Sequence, residues 1–319
     1  MGEKKHRIAV VALGGNAISP PEGSATIFDQ FEHTRESLGV IVELLKRGYQ
    51  LAITHGNGPQ IGNALMRQEL SRHRVPELPL GVLVASTEGW IGYMIEQSLI
   101  NRIQKEGIER SVVSIVTQVL VDQKDPSLQD PSKFIGQTYP EFEAHRLARQ
   151  FDWTVKKDKG RDGWRRVVGS PFPLEVLNSQ AVKSLLDENW IVICAGGGGI
   201  PVYKEEDGSL EGVDAVVDKD YASSVLGNNI GASELFILTE VSNVALNFGQ
   251  PEQIDLKQIT LEEAKSYFDE GHFPPGSMGP KMKSAINFIE GGGERVVITN
   301  LTEVVNALDG KTGTSITLN

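Results

Sequence analysis

Three glycine-rich segments each follow an apolar run: Gly14-Gly15-Asn16 after residues 8–13, Gly56-Asn57-Gly58-Pro59 after 50–54, and Gly196-Gly197-Gly198-Gly199 after 190–194. Glycine lets a backbone approach a ligand closely, and the unpaired N–H groups that open a following helix donate to anions. Two lysines stand at comparable turns: Lys219 in Asp218-Lys219-Asp220, and Lys281 after Gly279-Pro280. A lysine at a helix N-terminus opposes the helix dipole and is a poor choice for stability alone. It becomes favourable where an anion binds at the same terminus. Taken singly, each lysine also reads as a solvated charge and each glycine segment as a tight turn. Together they point to phosphoryl transfer, which needs fixed donors, cations and in-line positioning more than covalent help. Asp220 is placed to hold the lysines.

Other chemistries fit less well. Gly310-Lys311-Thr312 looks like the end of a phosphate-binding loop, but Val305 occupies the place of its first glycine. Gly56, Gly58 and Gly62 are spaced GxGxxxG, not as a dinucleotide fingerprint. The six histidines show neither HxxxH nor HExxH spacing, so no zinc site and no metal-ligating residue is expected. A net charge of −11 argues against nucleic acid and anionic membrane as partners. No stretch approaches the roughly 20 apolar residues of a membrane span. Cys194 is the single cysteine, which excludes an intrachain disulfide and fits a reducing cytoplasm; it reads as a small buried residue.

The elements that must position these groups are short Val- and Ile-rich runs alternating with amphipathic stretches. Strands are expected at 8–13, 50–54, 111–121, 190–194, 214–217, 235–239 and 295–299, and helices at 28–47, 87–105, 179–188, 221–226, 261–269 and 280–289. Apolar runs without in/out alternation imply a parallel sheet covered on both faces, with ligand loops at the strand C-termini. Residues 122–170 break this rhythm. They are polar, contain Pro126, Pro131 and Pro140, and carry Lys156, Lys157, Lys159, Arg161, Arg165 and Arg166. This segment reads as an insertion protruding from the sheet, its basic run either a solvated face or turned toward substrate.

The chain resembles the amino acid kinase family and, within it, the carbamate kinases. The matching segments are Val10-Val11-Ala12-Leu13-Gly14-Gly15-Asn16-Ala17, His55-Gly56-Asn57-Gly58-Pro59-Gln60, residues 163–168 and 196–201, Val217-Asp218-Lys219-Asp220, Gly271-His272-Phe273, and residues 275–281. They run through nearly the whole chain in family order. The resemblance implies an α/β fold, a three-layer α/β/α sandwich with a mostly parallel central sheet. It would be a single domain over 1–319. An N-terminal lobe (about 1–210) would hold carbamate or carbamoyl phosphate, with a protruding subdomain (about 122–170). A C-terminal lobe (about 211–319) would hold ATP or ADP with Mg2+. The implied reaction is ATP plus carbamate to ADP plus carbamoyl phosphate, run toward ATP in arginine or related catabolism by a cytoplasmic homodimer.

Site residues follow from the resemblance. Gly14, Gly15, Asn16, Gly56, Asn57, Gly58, Gly197 and Gly198 would hold the carbamoyl and transferred phosphoryl groups. Lys219 and Lys281 would stabilise transition-state charge and touch the nucleotide, Asp220 would orient them, and Lys133 would be the subdomain's substrate lysine. Thr239, Val241, Ser277 and Met278 would contact the nucleotide. The chain has Ala12 where most of the family has lysine, with Lys219 supplying the charge. It departs from the pattern at Phe134 and Gly169, each in place of proline, at an additional Asp162, and at Ser242 in place of aspartate, which bears on nucleotide affinity. A kinase for another small carboxylate and a nucleotide sensor without turnover are the competing readings.

Overall fold

The computed structural model describes residues 7–19, 26–158, 160 and 162–319; the side chain of Asn16 also lies outside the described residues, as do Lys159 and Arg161 of the basic run. The central sheet has eight strands in the order Gln258–Thr260, Thr314–Thr317, Arg295–Asn300, Glu234–Thr239, Arg7–Leu13, Tyr49–His55, Ile191–Ile193, Val112–Ser114. Every neighbouring pair is parallel except Arg295–Asn300 with Thr314–Thr317. Alternate residues of Arg7–Leu13 enter different cores. Val10 belongs to the same buried cluster as Val192, Leu226 and Phe288; Val11 belongs to another, with Ile53, Ile95 and Leu99. A strand buried on both faces needs apolar residues at every position, which is why these runs do not alternate. The result is the expected α/β/α sandwich.

The long helix Leu80–Lys105 lies close on the sheet edge: a Cβ at Gly92 would stand 2.0 Å from Ser114 Oγ. It begins seven residues before the expected start at 87. Helices Lys219–Ile230 and Met278–Glu290 also start earlier than their apolar periodicity suggests, which puts both lysines inside first turns.

Three expectations are corrected. The helix expected over 28–47 is two, Ile27–Ser37 and Gly39–Lys46; Gly39 weakens helical continuity at the junction. The strand expected over 111–121 divides into Val112–Ser114 in the central sheet and Gln118–Val121 in a second, four-stranded sheet with Pro173–Val176, Ile200–Lys204 and Leu210–Gly212. Residues 214–217 are extended with a single bridge, Gly169 to Ala215, and form no strand. Their hydrophobicity reflects burial of Ala215, Val216 and Val217, not ladder pairing.

The 122–170 segment contains an antiparallel sheet, Lys133–Tyr139 and Thr154–Asp158 flanking Gly163–Val168, with the helix Glu141–Phe151. Tyr139, Ala144 and Leu147 give it a small core of its own, with Trp153 and Trp164 packed against it. Asp162 takes a left-handed conformation (φ 45°) at the turn before the middle strand. Gly169 sits in a tight space: a Cβ would lie 2.6 Å from Leu128 Cδ2 and 3.1 Å from the Ser127 carbonyl oxygen. No helix among the described residues is long and apolar enough to cross a membrane.

Candidate active site

A cleft of about 1010 Å³ opens where Arg7–Leu13, Tyr49–His55 and Glu234–Thr239 end. Gly15, Gly56, Asn57, Gly58 and Gly197 line it, as do Thr239, Val241, Ser277 and Met278. Lys133, Lys219, Asp220 and Lys281 line the same cleft. Gly14 and Gly198, expected to bind substrate, do not line the cleft. A Cβ at Gly14 would stand 2.8 Å from the Leu238 carbonyl oxygen, and one at Gly198, where φ is +94°, would stand 2.1 Å from that of Val217. Both are glycine because neighbouring backbone passes against them.

At the centre, Asp220 is 3% exposed. Its Oδ1 accepts from Lys219 Nζ and its Oδ2 from Lys281 Nζ at 2.8 Å. Burial alone would raise its pKa, but the two ammonium groups outweigh burial and hold the carboxyl well below the usual carboxylate range. Burial lowers the pKa of Lys219, and Lys281 reinforces that shift while Asp220 opposes it. Lys219 packs close to the Gly56 backbone: a Cβ at Gly56 would meet Lys219 Cδ at 3.5 Å, an ordinary contact.

Asp218 caps the helix Lys219–Ile230 by accepting from the backbone N–H of Asp220 at 3.0 Å through Oδ1. Its Oδ2 accepts from Lys133 Nζ at 2.8 Å. The protruding segment therefore reaches the turn that carries Lys219, and Arg166 adds a 2.7 Å pair to Asp214 nearby. Ser242, which does not line the cleft, accepts through Oγ from Asn300 Nδ2 at 2.8 Å. Phe134 lies against Arg165, whose guanidinium carbon is 5.5 Å from the ring centroid.

Motif reading missed a buried layer beneath the glycine loops. His55 is fully buried; its Nδ1–H donates to the Gly56 carbonyl at 3.1 Å, and Nε2 has no partner. Burial lowers its pKa to about 4, partly offset by the Gly56 carbonyl and reinforced by Lys219. Glu88, 1% exposed, accepts from the backbone N–H of Gly196 at 2.9 Å and of Thr117 at 3.1 Å. Burial raises its pKa to about 8 despite those donors. Cys194 is buried as expected, with its thiol pushed up by burial and by the nearby Glu88. The available signal for Glu88 was its being the sole charged residue in the first sixteen positions, 80–95, of the helix Leu80–Lys105.

Glycine loops at a parallel-sheet edge, facing lysines bridged by one carboxylate, define a phosphoryl-transfer enzyme: fixed N–H donors and cations converge where charge develops. The chain belongs to the amino acid kinase family, whose model matches residues 7–300. A carbamate kinase of Pyrococcus horikoshii is 46% identical over 97% of this chain and 98% of its own length. One of Clostridium perfringens is 43% identical over 96% of this chain and 98% of its own. Among solved structures, carbamate kinase from Giardia lamblia bound to AMP-PNP superposes with a TM-score of 0.92 at 39% identity, covering 98% of this chain and 99% of that one. The chain is thus an ATP-dependent phosphotransferase, and its resemblance to carbamate kinases extends over its full fold.

Proposed function

We propose that the chain catalyses reversible phosphoryl transfer between ATP and carbamate, giving ADP and carbamoyl phosphate. The observation that carries this reading is the triad Lys219–Asp220–Lys281 set against Gly15, Gly56 and Gly58 in one cleft, with Ala12 fully buried in the strand behind. In the direction of ATP synthesis, the phosphorus–oxygen bond to the carbamoyl group breaks and a bond to the terminal phosphate oxygen of ADP forms. Carbamate leaves as an anion, so no proton need be donated to it. Lys219 and Lys281 offset the charge spread over the transferring group, Asp220 fixes their direction, and backbone N–H groups at the start of helix Gly58–Ser71 orient the acyl phosphate.

Both oxygens of Asp220 are taken by lysines, and those of Asp218 by Lys133 and a backbone N–H. Magnesium would therefore enter with the nucleotide rather than on a carboxylate of this chain, and would supply neutralisation of phosphate charge. In this reading the residues up to about 210 hold the acyl substrate, those beyond hold the nucleotide, and 122–170 closes over the acyl phosphate through Lys133. The enzyme works as a cytoplasmic homodimer supplying ATP in arginine or related catabolism. The test is ATP formation from ADP, magnesium and carbamoyl phosphate, with Lys219→Ala as control. Turnover abolished by the substitution supports the proposal. Turnover on acetylglutamate or aspartate with none on carbamate would replace it by a kinase for another carboxylate, and ADP binding without turnover would replace it by a sensor.

A further inference from the structure

Thr87 and Glu88 are consecutive residues of helix Leu80–Lys105, so their side chains diverge by about 100° around the helix axis. They reach two different glycine loops. Thr87 Oγ1 accepts from Asn57 Nδ2 at 2.9 Å, in the loop after Tyr49–His55. Glu88 accepts from the backbone N–H of Gly196 at 2.9 Å and of Thr117 at 3.1 Å. Thr117 Oγ1 in turn accepts from the backbone N–H of Ala195 at 3.0 Å.

The loop so held departs from relaxed backbone. Ala195 has φ +49°, which costs free energy for a residue with a Cβ. Gly197, which lines the cleft, has φ +64°, and a Cβ there would lie 2.2 Å from Asn57 Nδ2. His55 Nε2 and Glu88 Cγ close on Gly196 from the other side, 2.3 Å and 2.8 Å from where its Cβ would be. The loop therefore leans on the Asn57 side chain, which Thr87 fixes, and hangs from the Glu88 carboxylate.

We infer that Glu88 is a positioning residue for the acyl-phosphate side of the cleft: it fixes the backbone of residues 195–197 against Asn57, and through them the donors that meet the acyl substrate. Glu88 touches neither lysine and does not line the cleft, so its influence reaches substrate through Gly196 and Gly197. The inference rests on the proposed phosphoryl-transfer reading.

Three variants of the full chain test it, with KM for carbamoyl phosphate, KM for ADP and kcat measured for each. Glu88→Ala removes both acceptors, Glu88→Met removes them at similar volume, and Glu88→Gln keeps an acceptor for Gly196. Loss of the two hydrogen bonds that Glu88 accepts from the loop is expected to lower kcat/KM for carbamoyl phosphate about tenfold or more in the Ala and Met variants. KM for ADP stays unchanged, and Gln restores most of the loss. An equal change for both substrates, or no change in either, overturns the inference. So does a set in which Ala and Met fail to fold and Gln folds, which makes Glu88 a folding determinant only. Hydrogen exchange gives a readout independent of turnover: amides of 194–199 exchange faster in Glu88→Met, while those of 278–290 do not. If the native chain shows no turnover on carbamoyl phosphate, the reaction assignment fails, whereas unchanged protection at 194–199 defeats the positioning role by itself.

Discussion

Lys281 Nζ lies 2.8 Å from Oδ2 of Asp220, whose other oxygen is taken by the adjacent Lys219. Two cations drawn from two different helices are thus held side by side by one buried carboxylate. In the proposed reaction a phosphoryl group would bring negative charge between them, and Asp220 holds the two cations in place.

Removal of Asp220 is therefore expected to damage both folding and turnover. Asp220→Ala leaves two largely buried ammonium groups without their shared counter-ion, at a cost of about 3–5 kcal/mol. Lys219→Ala leaves Asp220 paired with Lys281 and keeps the fold, while turnover falls by roughly 100-fold or more. Urea denaturation and turnover measured on both variants separate the effects. A Lys219→Ala enzyme with near-native rate would remove that lysine from the chemistry.

Lys133 behaves differently because its pair with Asp218 is open to solvent; the Lys133 side chain is 42% exposed. Exposed pairs contribute little, so Lys133→Ala is expected to change stability by less than about 1 kcal/mol. Its effect falls on the acyl substrate: KM for carbamoyl phosphate rises and KM for ADP stays put. Equal weakening of both substrates would place Lys133 outside the acyl-phosphate site.

The glycine loop admits a steric test. Gly197→Ala forces a Cβ to 2.2 Å from Asn57 Nδ2 at a φ of +64°. Either the loop or Asn57 must shift, and both line the cleft. The expected outcome is a folded enzyme with a large loss of kcat/KM for carbamoyl phosphate, checked by circular dichroism and steady-state kinetics. Gly58→Ala is the matched control for fold, since no atom lies within 4 Å of a Cβ there.

The sheet and the glycine loops were legible because both follow from local rules: unbroken apolar runs for strands buried on two faces, and glycine where backbone passes close. Residues 214–217 show where that rule fails, since a buried loop and a buried strand have the same composition. Lys219, Lys281 and Asp220 could be grouped from their turns and from family motifs. Glu88 and His55 could not: Glu88 bonds a backbone N–H 108 residues away in sequence, and His55 is set apart by its burial and by Lys219. Asp218 was visible only as a neighbour of Lys219, although it caps the helix and receives Lys133.

His55 and Glu88 should leave opposing marks on the pH dependence of stability. His55 has its pKa lowered from 6.5 to about 4, so between these values the unfolded chain binds a proton that the folded chain does not, and stability rises with pH. Glu88 has its pKa raised from 4.5 to about 8, so the folded chain keeps a proton that the unfolded chain has lost, and stability falls as pH rises. Each slope is about 1.4 kcal/mol per pH unit, so the two nearly cancel between 4.5 and 6.5. Above 6.5 Glu88 acts alone. Over this window Asp220 stays ionised under its two lysines, and the Cys194 thiol, pushed up by burial and by Glu88, stays protonated. Glu88→Gln should therefore flatten the decline between pH 6.5 and 8 and expose the rise below it, whereas His55→Gln should leave a decline that begins near 4.5. Unfolding free energies from urea titrations at pH 5, 6, 7 and 8, taken as differences from the native chain, isolate the two groups from the background of surface carboxylates. A Glu88→Gln curve that still declines between pH 7 and 8 as steeply as the native one would show that Glu88 is ionised in the folded enzyme.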